Sequence, residues 1–499
     1  MQIRNIFKKL SLWLGGIFVA SLFTAVLVGL VRYSWISLAD PVVLEAQHQA
    51  KLDYLEKVPS AQENAPNIVI VFFDDLGWGD LSSYGNQLIQ TPNIDRIAEG
   101  GLRMTDFYSA SPVCTPSRAA LLTGRYPPRT MTDQHVFFPD KSVIGTTRKM
   151  MGLANELPKE EIAISEVLKK AGYRTGLIGK WHLGDREGYR PNDFGFDYFF
   201  GVQYSNDMYP LHLFENNEIV EEDLRQGNFL SSERDEFNPL PGKGVDQSQL
   251  TEKYTDEAIQ FIEQSGDTPF LLYLAHSFPH VPHYASSKFA GNSAAGTYGD
   301  VVEDLDRSTG RLMKALGELN LDRETLFIIT SDNGADYNGN PGPIRGRKGE
   351  ILEGGQRVPM IIHWPGHVSQ GQVSDELAMG TDIFPTLLSI TGIEPPKDRI
   401  IDGKDLSSMW TGAAPSPHDY LYYFPTLGAL PGAIRDKQFK LLANTGDTGR
   451  DREHLTRVID NESHDVQNLH PDALKRLTAS LEQMRQEVKN NPRGWLTTN

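Results

Sequence analysis

Unbroken apolar runs, each closed by a polar turn, alternate with stretches of helical period across residues 67–392. NIVIVFF at 67–73 is β-branched and aromatic after its first residue, so as a strand it must be covered on both faces. TPFLLYLAHSF, TLFIITSDNG and VPMIIHWPG read the same way further along. Between them lie helical segments. TPNIDRIAEGGLRM has Thr91 as a cap, Pro92 at the first position and a Gly pair at its end. IAISEVLKKAGYRTGLIGKWHLG reads as a helix, a glycine stop and a strand, while DLDRSTGRLMKALGELNL and TDIFPTLLSITG read as helices. Strands alternating with helices predict an α/β fold: a large central, mostly parallel sheet flanked by helices. Such sheets bind ligands beyond the carboxyl ends of their strands. From residue 415 the pattern changes. HDYLYYFP and AIRDKQFKLLAN read as short hairpin strands and PDALKRLTASLEQMRQEVKN as a closing helix. The expected layout is a large main domain at 66–414 and a smaller antiparallel C-terminal subdomain at 415–499. Residues 128–160 and 205–250 lack clear periodicity and are expected as loops near the mouth of a site.

The N-terminus is of another kind. Residues 11–31 carry no charge, and Arg4, Lys8 and Lys9 precede them. As a helix this run spans roughly 30 Å, the thickness of a bilayer core. The basic flank keeps the N-terminus cytoplasmic and exports the rest. Residues 1–39 are therefore expected to be a membrane anchor, or, with Ser37-Leu38-Ala39 as a small-x-small cleavage site, a signal segment of a secreted protein. Residues 40–65 are polar and expected as a linker or helix. The body then lies outside the cytoplasm, on the periplasmic side and tethered to the inner membrane by 11–31. A net charge of −17 excludes a general nucleic-acid binder.

Asp74-Asp75 and Asp332-Asn333 each end a buried strand at a turn. Asp and Asn favour such turns for their own sake. Two oxygen-rich pairs at one sheet edge also suit a hard divalent cation, Ca2+ with six to eight oxygens or Mg2+ with six. Lys180 and His182 in GKWHLG are two apart, hence on one face of a strand, with glycines leaving them little cover. They read as a solvated edge pair or as a site. HSFPHVPH offers His276, His280 and His283 at the end of another strand, and Lys348 lies in a glycine-rich loop where an isolated lysine is ordinarily solvated. Cys114 is the single cysteine of 499 residues, so no disulfide forms within the chain. Thr115 as a cap and Pro116 in the first turn place it at the start of a helix, with Arg118 on a similar face one turn later. A low-pKa thiolate nucleophile is the generic reading. Soft sulfur next to a hard, oxygen-ligated cation is a poor match, which argues that the working atom at position 114 is not sulfur.

Cys114-Thr115-Pro116-Ser117-Arg118, continued by AALLTGRYP, resembles the modification signal of the sulfatases whose cysteine becomes Cα-formylglycine. FFDDLGWGD, GKWHLG, PHVP, SDNG, GRKG and EGGQRVP follow in that family's order across 66–490, and GFDYFFGVQYSNDMYP is similar to the arylsulfatase A and N-acetylgalactosamine-6-sulfatase branch. The resemblance implies an alkaline-phosphatase-like fold and a sulfuric ester hydrolase acting on an aryl or carbohydrate sulfate. It implies a formylglycine gem-diol nucleophile and a covalent sulfated intermediate. Calcium would be held by Asp74, Asp75, Cys114, Asp332 and Asn333. Arg118 would steady residue 114, Lys180, His280 and Lys348 would bind sulfate oxygens, and His182 would be the base that regenerates the aldehyde. His276 and His283 fall on no motif position. The implied partners are a sulfated small molecule or glycan and a formylglycine-generating maturation enzyme. The lysosomal members carry disulfides and this chain can form none, which fits a bacterial-style exported enzyme. A phosphodiesterase or phosphonate monoester hydrolase on the same fold is the alternative.

Overall fold

The computed structural model describes residues 43–62, 64–223, 244–443 and 454–496. The expected anchor at 11–31 lies outside them. Among the described residues no helix is long and apolar enough to cross a membrane.

The large sheet is built from β1 (Asn67–Phe73), β2 (Leu102–Tyr108), β3 (Arg174–Lys180), β4 (Tyr198–Val202), β5 (Leu213–Glu215), β6 (Glu218–Glu221), β7 (Phe270–Ala275), β8 (Thr325–Ser331), β9 (Arg357–His363), β10 (Gln372–Ser374) and β11 (Ala378–Met379). Their order is β10-β2-β9-β8-β1-β7-β3-β4-β5-β6, with β11 also on β2. β8, β1, β7, β3 and β4 run parallel at its centre. β9 is antiparallel to both its neighbours. The sheet is thus mixed with mostly parallel strands, flanked by helices.

Strand β1 shows why its sequence has no polar face. Ile68, Ile70 and Phe72 enter one core with the helices Cys114–Thr123, Ile164–Lys170 and Ile383–Thr391. Val69, Val71 and Phe73 enter the other with Pro92–Glu99, Leu250–Ser265 and Gly296–Glu318. Two local expectations change. Thr91 does not cap its helix with its side chain. The Asp306 carboxylate accepts from the Asn93 and Ile94 backbone N–H groups instead, at 3.0 and 2.8 Å. Part of the expected loop at 205–250 is the β5–β6 hairpin, turned at Asn216 with φ 54°. Its strands are too short to show a period.

The polar segment after the N-terminus includes the helix Glu45–Glu56, fastened to the body by Lys51, whose ammonium pairs with Glu166 at 2.7 Å. At the other end β12 (Leu421–Tyr423), β13 (Ala433–Arg435), β14 (Phe439–Leu442) and β15 (His454–Arg457) form a separate antiparallel sheet. Ile434, Leu441 and Leu455 cover the closing helix Pro471–Asn490, while Leu421, Tyr423 and Ala433 pack on Tyr108, Ala120 and Met379 of the large body. A charged network is buried in this junction. Glu353 accepts from Lys440 Nζ at 3.1 Å and from the Tyr108 hydroxyl at 2.6 Å, and Lys440 also pairs with Glu462 at 3.2 Å.

Candidate functional site

The register of the central strands decides where the polar turns fall. Phe73 is level with Ser331, and Phe72 with Ala275, so β1, β7 and β8 end at one edge. Asp74-Asp75 and Asp332-Asn333 emerge there side by side, all four buried. The Asp75 backbone N–H donates to Asp332 Oδ1 at 3.1 Å, and Asn333 Nδ2 donates to Asp75 Oδ1 at 2.8 Å. Asp75 takes a left-handed φ of 68°, which turns the chain sharply off the strand.

The helix Cys114–Thr123 points its first residue at this edge. Cys114 Sγ donates to Asp74 Oδ1 at 3.4 Å. Asp74, Asp75, Cys114 and Asp332 each offer one ligand atom, all within 4.8 Å of one another, and His280 joins Asp75 and Cys114 in a second such group. Cations close the ring. Arg118 donates from Nε and Nη2 to Asp332 Oδ2 at 3.1 and 2.8 Å and from Nη1 to the Lys180 carbonyl at 3.0 Å. Lys180 Nζ lies 2.6 Å from Asp74 Oδ2, Lys348 Nζ 2.8 Å from Asp75 Oδ2, and His280 Nε2 3.8 Å from the same oxygen. All the residues singled out in the motifs meet at this edge, apart from His276 and His283. His276 is a core residue, stacked on Phe73 with its ring centroid 5.7 Å away. His283 lies beside Tyr298.

Three expectations fail in detail. Lys180 and His182 are not a strand pair with little cover. The strand ends at Lys180, His182 takes φ 63°, and both are buried, at 0% and 1% exposure. The lysine survives burial because its charge is matched by Asp74. Nor does Thr115 cap the helix. It lies within it, donating to the His182 carbonyl at 3.0 Å and accepting from the Phe137 N–H at 3.1 Å. Lys348 is paired rather than solvated.

The charges tune one another. Burial alone would raise the Asp74 carboxyl, but Lys180, His280, Arg118 and Lys348 outweigh it and hold the pKa well below its usual value. Burial and the Asp74 charge push Asp332 up to about 6. Burial and the Asp332 charge push the Cys114 thiol well up, so it is no thiolate. Burial, then Lys180 and Arg118, press His182 well below its usual value and keep it neutral. Its Nε2 lies 3.0 Å from the Phe137 carbonyl, which can only accept, so Nε2 carries the proton and Nδ1 a lone pair. That Nδ1 is buried without a hydrogen-bond partner, as is Asn333 Oδ1.

Sequence reasoning missed three contributors: Thr115 as a tie, the Phe137 carbonyl, and Ser205. Ser205 Oγ is 3.2 Å from Lys180 Nζ and 3.5 Å from His280 Nδ1. Only folding brings Phe137 and Ser205 to these partners, and nothing local in the sequence marks them.

The sulfatase family profile matches residues 66–393, and the C-terminal profile of N-sulphoglucosamine sulphohydrolase matches 348–490. The chain belongs to the sulfatase family. It is 41% identical over 359 residues to rat (Rattus norvegicus) N-acetylgalactosamine-6-sulfatase, an alignment covering 68% of this chain and 65% of that protein. It is 40% identical over 379 residues to Homo sapiens arylsulfatase A, covering 72% and 71%. The crystal structure of the PsFucS1 sulfatase from Pseudoalteromonas sp. superimposes with a TM-score of 0.69 at 29% identity, over 90% of this chain and 95% of that one. This family member has the family's large α/β body and separate small antiparallel sheet.

Proposed function

We propose that this chain hydrolyses a sulfate monoester, adding water across the S–O bond to release an alcohol and inorganic sulfate. The observation that carries the reading is the mutual approach of Asp74, Asp75, Cys114 and Asp332 within 4.8 Å, ringed by Lys180, Lys348, Arg118 and His280. The family's named members, an N-acetylgalactosamine-6-sulfatase and an arylsulfatase, support it.

The donor set fits a hard cation. Three carboxylates converge and the Asn333 side-chain oxygen is buried unpartnered. Calcium suits such an oxygen shell, and Asp74, Asp75, Asp332, Asn333 and residue 114 would hold it. The sulfur is the one mismatched donor, which supports its conversion by a maturation enzyme to formylglycine. When present, the cation would supply positive charge and the hydrated aldehyde an oxygen nucleophile.

The chain's own groups do the rest. Lys180 and Lys348, whose ammonium groups face this space from Asp74 and Asp75, are placed to hold the sulfate oxygens. Such local charge is needed, since the net charge of −17 repels anions. His280 and Lys348 are placed to give the departing alcohol its proton. Arg118, fixed by Asp332, holds residue 114 in line. His182 presents the bare Nδ1 that takes a proton at residue 114 as sulfate leaves. Thr115 fixes this base relative to the nucleophile.

Purified protein from its own host should show the residue-114 peptide at the aldehyde mass, and chelation should stop turnover of 4-nitrophenyl sulfate until calcium is restored. An unconverted thiol in fully active protein overturns the reading. So does faster turnover of 4-nitrophenyl phosphate than of the sulfate, which would favour the phosphoryl hydrolase. We also infer export to the periplasmic side with a tether at 11–31. Activity recovered in a cytoplasmic fraction would refute it.

A further inference from the structure

Next to the charged ring lies a cavity of about 360 Å³ whose lining includes none of Lys180, His280 and Lys348. Its walls come from separate segments: the turn after Phe138, the 185–190 loop, the chain following β4, and the β5–β6 hairpin. Two lining residues also belong to the reaction centre. Ser205 touches Lys180 and His280, and Met208 packs on the apolar cluster of Val113, Cys114 and Val136. The cavity therefore adjoins the place where the alcohol oxygen of a sulfate ester would lie.

Its lining combines two chemistries. Met208, Phe214 and Ile219 give an apolar side. The polar part of the lining includes Asp185, which accepts from the Tyr204 hydroxyl at 3.1 Å and from the Asp140 N–H at 3.1 Å. Each carboxylate oxygen keeps a further lone pair. Arg190 donates from Nε to the Asp185 carbonyl at 2.9 Å and from Nη1 to Asn217 Oδ1 at 3.4 Å, which uses two of its five N–H donors. The site is thus braced from within and still has both donors and acceptors to offer. A flat aryl or steroid group would cover these charges without bonding them and leave each desolvated group unsatisfied. A pyranose ring has hydroxyls for the polar wall and a C–H face for the apolar one. The volume is at the small end of ligand sites, enough for one ring and not for a polymer strand.

We propose that this cavity receives the alcohol half of the substrate as a single sugar ring, hydrogen-bonded by Asp185 and Arg190 and packed on Met208 and Phe214. The proposal rests on the sulfate-ester reading and names its substrate class: a sulfated monosaccharide, or the terminal residue of a sulfated glycan.

Ile219, 46% exposed on the hairpin, permits a cavity-filling change that leaves the core alone. The full chain and its Ile219→Trp and Arg190→Leu variants are assayed on N-acetylgalactosamine 6-sulfate, N-acetylglucosamine 6-sulfate, galactose 6-sulfate and 4-nitrophenyl sulfate. Saturation-transfer NMR with the three unsulfated sugars reads binding apart from turnover. Thermal melts report folding, and if Arg190→Leu is unfolded then Ile219→Trp decides. The expected result is at least a tenfold fall in the ratio of kcat/KM for the best sugar sulfate to that for the aryl sulfate, with loss of the sugar NMR signal. An unchanged ratio with unchanged sugar signal overturns the pocket. Wild-type turnover of the aryl ester alone, with no sugar binding, does the same and spares the hydrolase. Sugar binding lost in the variant but without turnover of any sulfate keeps the pocket and sinks the hydrolase.

Discussion

Two clusters of buried charge stand in this molecule, and they are built to different ends. At the junction with the small sheet, Glu353 is bonded on both oxygens, Lys440 sits 3.9 Å over the Tyr423 ring, and Arg435 lies 5.1 Å over Tyr108. At the edge of the large sheet the ion pairs are shorter, 2.6–2.8 Å against 3.1–3.2 Å, and each cluster keeps buried polar atoms without a hydrogen-bond partner, His182 Nδ1 and Asn333 Oδ1 at the edge and Tyr423 Oη at the junction. Displaced pKa values occur in both, since structural networks perturb titration as readily as catalytic ones. What sets the sheet edge apart is convergence on a shared space: four ligand atoms face one another there with a thiol among them. The junction, by contrast, is closed by aromatic rings.

The contrast can be broken most forcefully at Cys114. Cys114→Ala is expected to lower turnover by at least about 10³-fold while the melting temperature stays near wild type, because the thiol makes one long hydrogen bond. A variant that unfolds instead would make the edge structural, like the junction. The mirror experiment is Lys440→Met. It strands two buried carboxylates and should cost about 3–5 kcal/mol in urea unfolding, with kcat per folded molecule unchanged. Lys180→Ala should fail on both counts, losing activity and stability together.

Acid sharpens the comparison further. Burial opposes the Glu353 charge, but Lys440, Arg435 and Arg357 pull its pKa from 4.5 to about 2. Between those values the unfolded chain binds the proton and the folded chain does not. The stability this group lends is complete above pH 4.5 and is lost as pH falls toward 2. Unfolding titrations of wild type and Lys440→Met should diverge less as pH falls through that window; a constant gap would refute the network. The smallest effect is expected at Thr115→Val, about 1–2 kcal/mol with reduced kcat and unchanged KM, as the His182 carbonyl and Phe137 N–H lose their tie. Thr115→Ser should restore both.

The sheet and the acid pairs were legible because doubly buried strands leave apolar runs, and a run must end in a turn. The cysteine motif placed its helix. Direction was not legible: VPMIIHWPG looks like its parallel neighbours yet runs against them. Burial of Lys180 was hidden too, since the cover for GKWHLG comes from Asp74, Ser205 and Phe137, all distant in sequence. The β5–β6 hairpin escaped because strands of three and four residues show no period, though the Asn216-Asn217 pair marks its turn.

The level ending of β1 and β8 reaches beyond this one site. Neighbouring strands lie about 4.8 Å apart in any sheet, so the gap between the two acid pairs is a property of backbone pairing, the same whatever loops are attached. New rims can be grafted on to alter selectivity without recalibrating the reaction centre. Inserting a single residue into either strand would ruin it while every loop stayed intact.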